Sequence, residues 1–149
     1  MASTLKEQLR SEITASLKAG DKLRLSALRL LLAAVTNREK EVLHELDDDE
    51  VREVAGKEVK KRTESIEAFE RAGRHELADK ERAEREVIVG YAPEQLGTAE
   101  LDALIDEAFA ATGASSPGDL GKVMGFVMGR AKGRVDGAVV QEKVRARLG

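Results

Sequence analysis

Cysteine and tryptophan are absent from this 149-residue chain, proline occurs twice, and aromatic residues make up only 3%. Without cysteine there can be no disulfide, no thiolate metal ligand and no thiol nucleophile. With so few rings, the core has to be aliphatic. The longest unbroken apolar run, residues 30–35, is far short of the roughly 20 residues that a membrane span requires. The opening MASTLKEQLR lacks the apolar centre of a signal peptide. The expectation is therefore a soluble cytoplasmic protein with no membrane partner. His44 and His75 each stand alone, without the neighbouring ligands that zinc needs, so no metal is expected.

What is present is helical. Apolar residues make up 42% and charged residues 36%, with Leu, Ala, Glu, Lys, Arg and Val dominant. That mixture favours an all-α fold. Thr4 and Glu7 have capping-box spacing before a first helix that Gly20 ends. Asp21 can cap a second helix, whose Leu25, Leu28, Leu32 and Val35 follow three-and-four spacing toward a core. Leu30, Leu31 and Ala33 widen that stripe, which implies contact with more than one neighbour. Asp47 and Glu50 form another capping box. After it, Val51, Val54, Ala55, Val59, Ile66 and Phe69 line a long third helix that stops at Gly73. A fourth, highly charged helix spans about residues 75–89, with Leu77, Ala78, Val87 and Ile88 as its core contacts.

Gly90 and Pro93 mark a junction. Beyond it, Thr98 caps a helix closed by Gly113. Ser116, Pro117 and Asp119 give a start signal of N-cap, first-position proline and third-position acid. Asp136 suits the N-cap of a last helix built on Val139, Val140, Val144 and Leu148. The expected division is an N-terminal helical bundle over residues 1–92 and a small C-terminal three-helix domain over residues 93–149.

Glycine punctuates the C-terminal part at every fourth position: Gly121, Gly125, Gly129, Gly133 and Gly137. Each interior helical glycine costs roughly 1 kcal/mol against alanine. On a helical wheel, Leu120, Val123, Met124, Val127, Met128 and Ala131 share one arc, while Gly121, Gly125 and Gly129 fall opposite, beside Lys122. This bare strip could receive another helix or the backbone of a ligand, or reflect drift in a glycine-rich sequence. Gly133 and Gly137 belong instead to a turn, shaped by Asp136, where Arg130, Lys132 and Arg134 cluster near the start of the last helix.

Charge follows the same division. Residues 119–149 carry seven basic and three acidic side chains, whereas the whole chain has a net charge of −3. Such a cationic tail suits a polyanion, or is an ordinary solvated helix face. No G-x-S-x-G elbow or Walker spacing is present, and the abundant carboxylates single out no catalytic pair. No self-contained active site is visible, and no cofactor is expected.

These stretches carry a family resemblance. Asp119-Leu-Gly-Lys-Val-Met-Gly125 and Lys132-Gly-Arg-Val-Asp-Gly137 resemble the D-[ML]-G-K-V-M and K-G-[RK]-x-D-G segments of the GatB/YqeY family. Lys61-Arg-Thr-Glu-Ser-Ile-Glu-Ala-Phe69 and Ala72-Gly-Arg-His-Glu-Leu77 are similar to its middle region. Tyr91-Ala-Pro-Glu-Gln-Leu96 resembles its Y-L-P-x-Q-L junction, with Ala92 in place of leucine. The resemblance implies kinship with the tail of the B subunit of the glutamine-dependent aspartyl/glutamyl-tRNA amidotransferase, an appendage that contacts tRNA. The catalytic body of that subunit is absent here. The label of carbon–nitrogen ligase with glutamine as amido-N-donor therefore comes by association.

The leading expectation is a non-catalytic tRNA-binding accessory, acting with amidotransferase or aminoacyl-tRNA machinery. Lys122, Arg130, Lys132 and Arg134 would contact phosphates, and Gly121, Gly125, Gly129 and Gly133 would allow close approach. The alternative is a protein-interaction module whose glycine strip receives a partner helix. A third reading is a ligase subunit active only with partners.

Overall fold

The computed structural model describes residues 3–131 and 133–149, which form seven α-helices and no strand. The chain resolves into two compact units, Met1–Pro93 and Glu94–Gly149.

The first unit holds α1 (Thr4–Ala19), α2 (Lys22–Val42), α3 (Asp48–Arg71) and α4 (His75–Val89). Several boundaries are where local chemistry sets them. Gly20 closes α1 at φ 71°, and the Asp21 side chain caps α2 by accepting from the Arg24 amide at 3.1 Å. Asp47 and Glu50 make both halves of a capping box at the start of α3. The first cap lies one residue earlier than its sequence spacing suggests. Ser3, not Thr4, accepts from the Lys6 amide, because Thr4 Oγ1 donates to Asp48 on α3 instead. Asp48 also accepts from Ser3 Oγ and the Leu5 amide, and these bonds hold its carboxyl down to about 2.

The core of this unit contains Leu9, Leu28, Leu31, Val35, Leu46, Val51, Val54 and Ile88. The inward stripe of α2 is thus rotated from the expected one. Ala27 and Leu31 are fully buried, Leu25 is half-buried outside the core, and Leu30 is exposed. Of the core contacts expected on α4, Ala78 and Ile88 are buried, whereas Leu77 is exposed. The Tyr91 hydroxyl donates to the Glu12 carboxylate, which also pairs with Arg24 at 3.1 Å. Burial, and then this carboxylate, push the Tyr91 phenol well above its usual range.

The second unit holds α5 (Thr98–Thr112), a 3-10 turn (Pro117–Asp119), α6 (Leu120–Arg130) and α7 (Gly137–Leu148). Gly97 rather than Thr98 occupies the N-cap of α5. The Ser116–Asp119 start signal produces the 3-10 turn before the α-helix proper begins. Leu101, Ile105, Ala108, Val123, Val127, Val140, Val144 and Leu148 make its core. Val139, expected to be buried, is exposed, because Val140, Val144 and Leu148 already fill the inward face of α7.

Candidate nucleic-acid interface

The α6 helix presents its two faces as the wheel requires. Val123 and Val127 are buried, with Leu120, Met124 and Met128 half-buried against the same core. Gly121, Gly125 and Gly129 are exposed, and a Cβ built on any of them meets nothing within 4 Å among the described residues. Packing within the described part of the second unit therefore does not explain the glycines of the strip. Lys122 lies beside it, 69% exposed, with its Nζ 3.7 Å from Asp119. Asp119 sits below the usual carboxylate range because the Ser115 and Ser116 amides donate to it.

The other expected phosphate contacts are placed differently. Arg130 stacks over the Phe126 ring at 4.4 Å and pairs with Glu107 on α5 at 2.6 Å. Lys132 lies outside the described residues. Arg134 donates from Nε to the Glu94 carbonyl at 2.9 Å. Gly133 adopts φ 70°, which favours glycine, and the Asp136 side chain caps α7 by accepting from the Ala138 amide at 2.9 Å. Gly137 opens α7, where a Cβ would make ordinary contact with Met128 at 3.7 Å.

Two features invisible along the sequence shape this surface. First, α5 supplies acids to the basic helices. Asp102 pairs with Lys143 at 2.9 Å and Asp106 with Arg147 at 2.5 Å, the latter guanidinium lying over Phe109. Residues 94–149 carry eight acidic and seven basic side chains, so the charge surplus of the tail is largely matched within its own unit. Second, residues 94–96 are bound to the turn at 133–134. The Leu96 amide donates to the Arg134 carbonyl at 2.8 Å, and the Gln95 side chain to the Gly133 carbonyl at 2.9 Å. Glu94, Gln95 and Leu96 thus join the site, and the only trace of this in the sequence is that both stretches carry the resemblance.

The comparison with known proteins agrees with those stretches. A family described as Yqey-like protein matches residues 6–148. The chain belongs to that family. It is also 30% identical over 147 residues to a protein of Pyrenophora tritici-repentis (strain Pt-1C-BFP), named altered inheritance of mitochondria protein 41, mitochondrial. That alignment covers 95% of this chain and 80% of the relative. Family membership therefore spans both compact units, and the glycine strip, the turn and the bound residues 94–96 all lie inside the matched region.

Proposed function

We propose that this Yqey-like protein is a non-catalytic tRNA-binding accessory in tRNA-dependent amidation, with α6 and the following turn as its RNA-facing surface. The observation that carries the reading is the open strip over Gly121, Gly125 and Gly129 beside the exposed Lys122. A backbone without side chains lets a sugar–phosphate strand approach closely, and cations along it supply sequence-independent affinity. Phe126 is the one aromatic ring on α6, so recognition rests on RNA shape and backbone. The reading gives this chain no catalytic residue.

Titrating tRNA binding against salt tests it. Four phosphate contacts, from Lys122, Arg130, Lys132 and Arg134, give a log–log slope of magnitude roughly 3. Glu107→Gln releases Arg130 from its ion pair and raises affinity about two- to fivefold, the worth of an exposed pair. Absence of binding at low salt, or unchanged binding by Arg130→Glu with Lys132→Glu, sinks the reading.

The ion pairs of Arg130, Lys143 and Arg147 with α5 favour a second reading, in which the strip receives a partner helix at close range. Gly125→Leu then blocks partner capture while helicity is retained, and the interaction is nearly insensitive to salt.

A further inference from the structure

The longest acid-free run of the chain, residues 22–38, lies in α2, on a protein with 28 acidic and 25 basic side chains. Of its four cations, Arg24 pairs with Glu12 and Arg38 with Glu41. Lys22 and Arg29 form no ion pair among the described residues. Together with Leu25, Ser26 and Leu30 they line an open hollow of about 320 Å³. The spacing of these five residues (i, i+3, i+4, i+7, i+8) puts them on one helix face. Leu30 is 45% exposed, and Leu23, one turn from Ser26, is 39% exposed. The core uses Leu28, Leu31 and Val35, and among the described residues Leu23, Leu25 and Leu30 lie outside that cluster.

We propose that the outer face of α2 docks an acidic amphipathic helix of a partner protein. Its apolar side chains enter the hollow beside Leu25 and Leu30, and its carboxylates meet Lys22 and Arg29. The hollow runs along about two helical turns, roughly 12 Å, the reach of the apolar anchors of a docked helix. No carboxylate lies on this face of α2 between Lys22 and Arg38, so the face itself attracts an acidic partner, and self-pairing, which would set Lys22 and Arg29 of two copies together, is disfavoured. Leucines at the centre with no aromatic ring suit an apolar side chain better than RNA bases. Two cations lining the hollow, and no aromatic ring on α2, fall short of the Lys/Arg-rich, Trp- or Phe-bearing faces that bind lipid surfaces.

The full chain, isotope-labelled, is titrated with a capped alanine-based helical peptide of about four turns, carrying leucine at i, i+4 and i+7 with flanking glutamates. Amide shifts confined to residues 22–33 are expected, with binding at least tenfold weaker for the peptide that has lysine in place of glutamate. Lys22→Glu with Arg29→Glu reverses that preference. Leu30→Ser weakens both peptides about tenfold, the loss of part of a buried leucine. All three substitutions are at exposed positions, and circular dichroism confirms that the variants fold. The proposal is overturned by absent shifts or by equal binding of the two peptides. It is also overturned if the same α2 amides move with tRNA, or with vesicles of phosphatidylserine and phosphatidylcholine at about 3:7, or in a Leu30-dependent dimer. Gly125→Leu leaves this binding unchanged, so it stands or falls separately from the reading of α6.

Discussion

The Leu96 amide donates to the Arg134 carbonyl at 2.8 Å, and Arg134 donates from Nε to the Glu94 carbonyl at 2.9 Å. Arg134, expected from the sequence to contact phosphate, is therefore also a clasp on the segment entering α5. Arg134→Ala and Arg134→Lys each lose the Nε bond and should each cost about 1 kcal/mol of stability. The pair separates the two roles. If phosphate contact dominates, lysine restores tRNA affinity. If the clasp dominates, both variants show faster amide exchange at residues 94–97.

The glycines of α6 and of the turn respond to alanine in opposite directions. Gly125 sits mid-helix with nothing near a Cβ, so Gly125→Ala raises stability by about 0.5–1 kcal/mol. Gly133 has φ 70°, and Gly133→Ala lowers stability by about 1 kcal/mol. Urea denaturation of both variants checks the signs. If close approach to RNA is the reason for the strip, the more stable Gly125→Ala protein binds tRNA less well.

Arg62 is 7% exposed and Glu84 is 5% exposed, in α3 and α4. The Arg62 guanidinium pairs with Glu58 at 2.7 Å, while its Nε lies 3.7 Å from Glu84 and has no hydrogen-bond partner. Arg62→Leu strands the Glu84 carboxylate and should cost about 3–5 kcal/mol. The double variant Arg62→Leu with Glu84→Leu removes both charges and recovers most of that loss. Chemical denaturation of the two singles and the double gives the coupling directly.

Asp48 ties α3 to the start of α1. Its carboxyl is held at about 2 by Ser3, Thr4 and the Leu5 amide, below the ordinary 3.8. A depressed folded-state value means stability that is fully present above about pH 4 and is lost as pH falls through 2. Asp48→Asn removes this dependence, so the variant's helical signal at 222 nm changes less between pH 4 and 2 than that of the parent.

The parts of the fold that were legible in the sequence are those made by neighbours along the chain. Asp21, Asp47 with Glu50, Gly20 and Gly113 act within one helical turn of their own backbone, and their residue types declare the geometry. The two faces of α6 were legible for the same reason. Arg62 and Glu84 were not, because a charge buried against a charge looks like a surface salt bridge until two helices are brought together. The acids of α5 hid in the same way. Asp102, Asp106 and Glu107 are separated by 23 to 41 residues from the bases they neutralise. The tail therefore read as more cationic than its folded unit is. The contact of residues 94–96 with the turn is made by backbone groups, which no side-chain pattern announces.

The pairs Asp102–Lys143 and Asp106–Arg147 share one sequence offset of 41 residues, so α5 and α7 run in the same direction. The segment at 94–96 and the turn at 133–134 are then at one pole of the unit. Gly149, within reach of Pro117, is at the other. About 22 Å of helix, the length of α5, separates the poles. A fluorophore attached at Gly149 would therefore leave the turn uncovered, and its distance to a labelled RNA would report which pole the RNA meets.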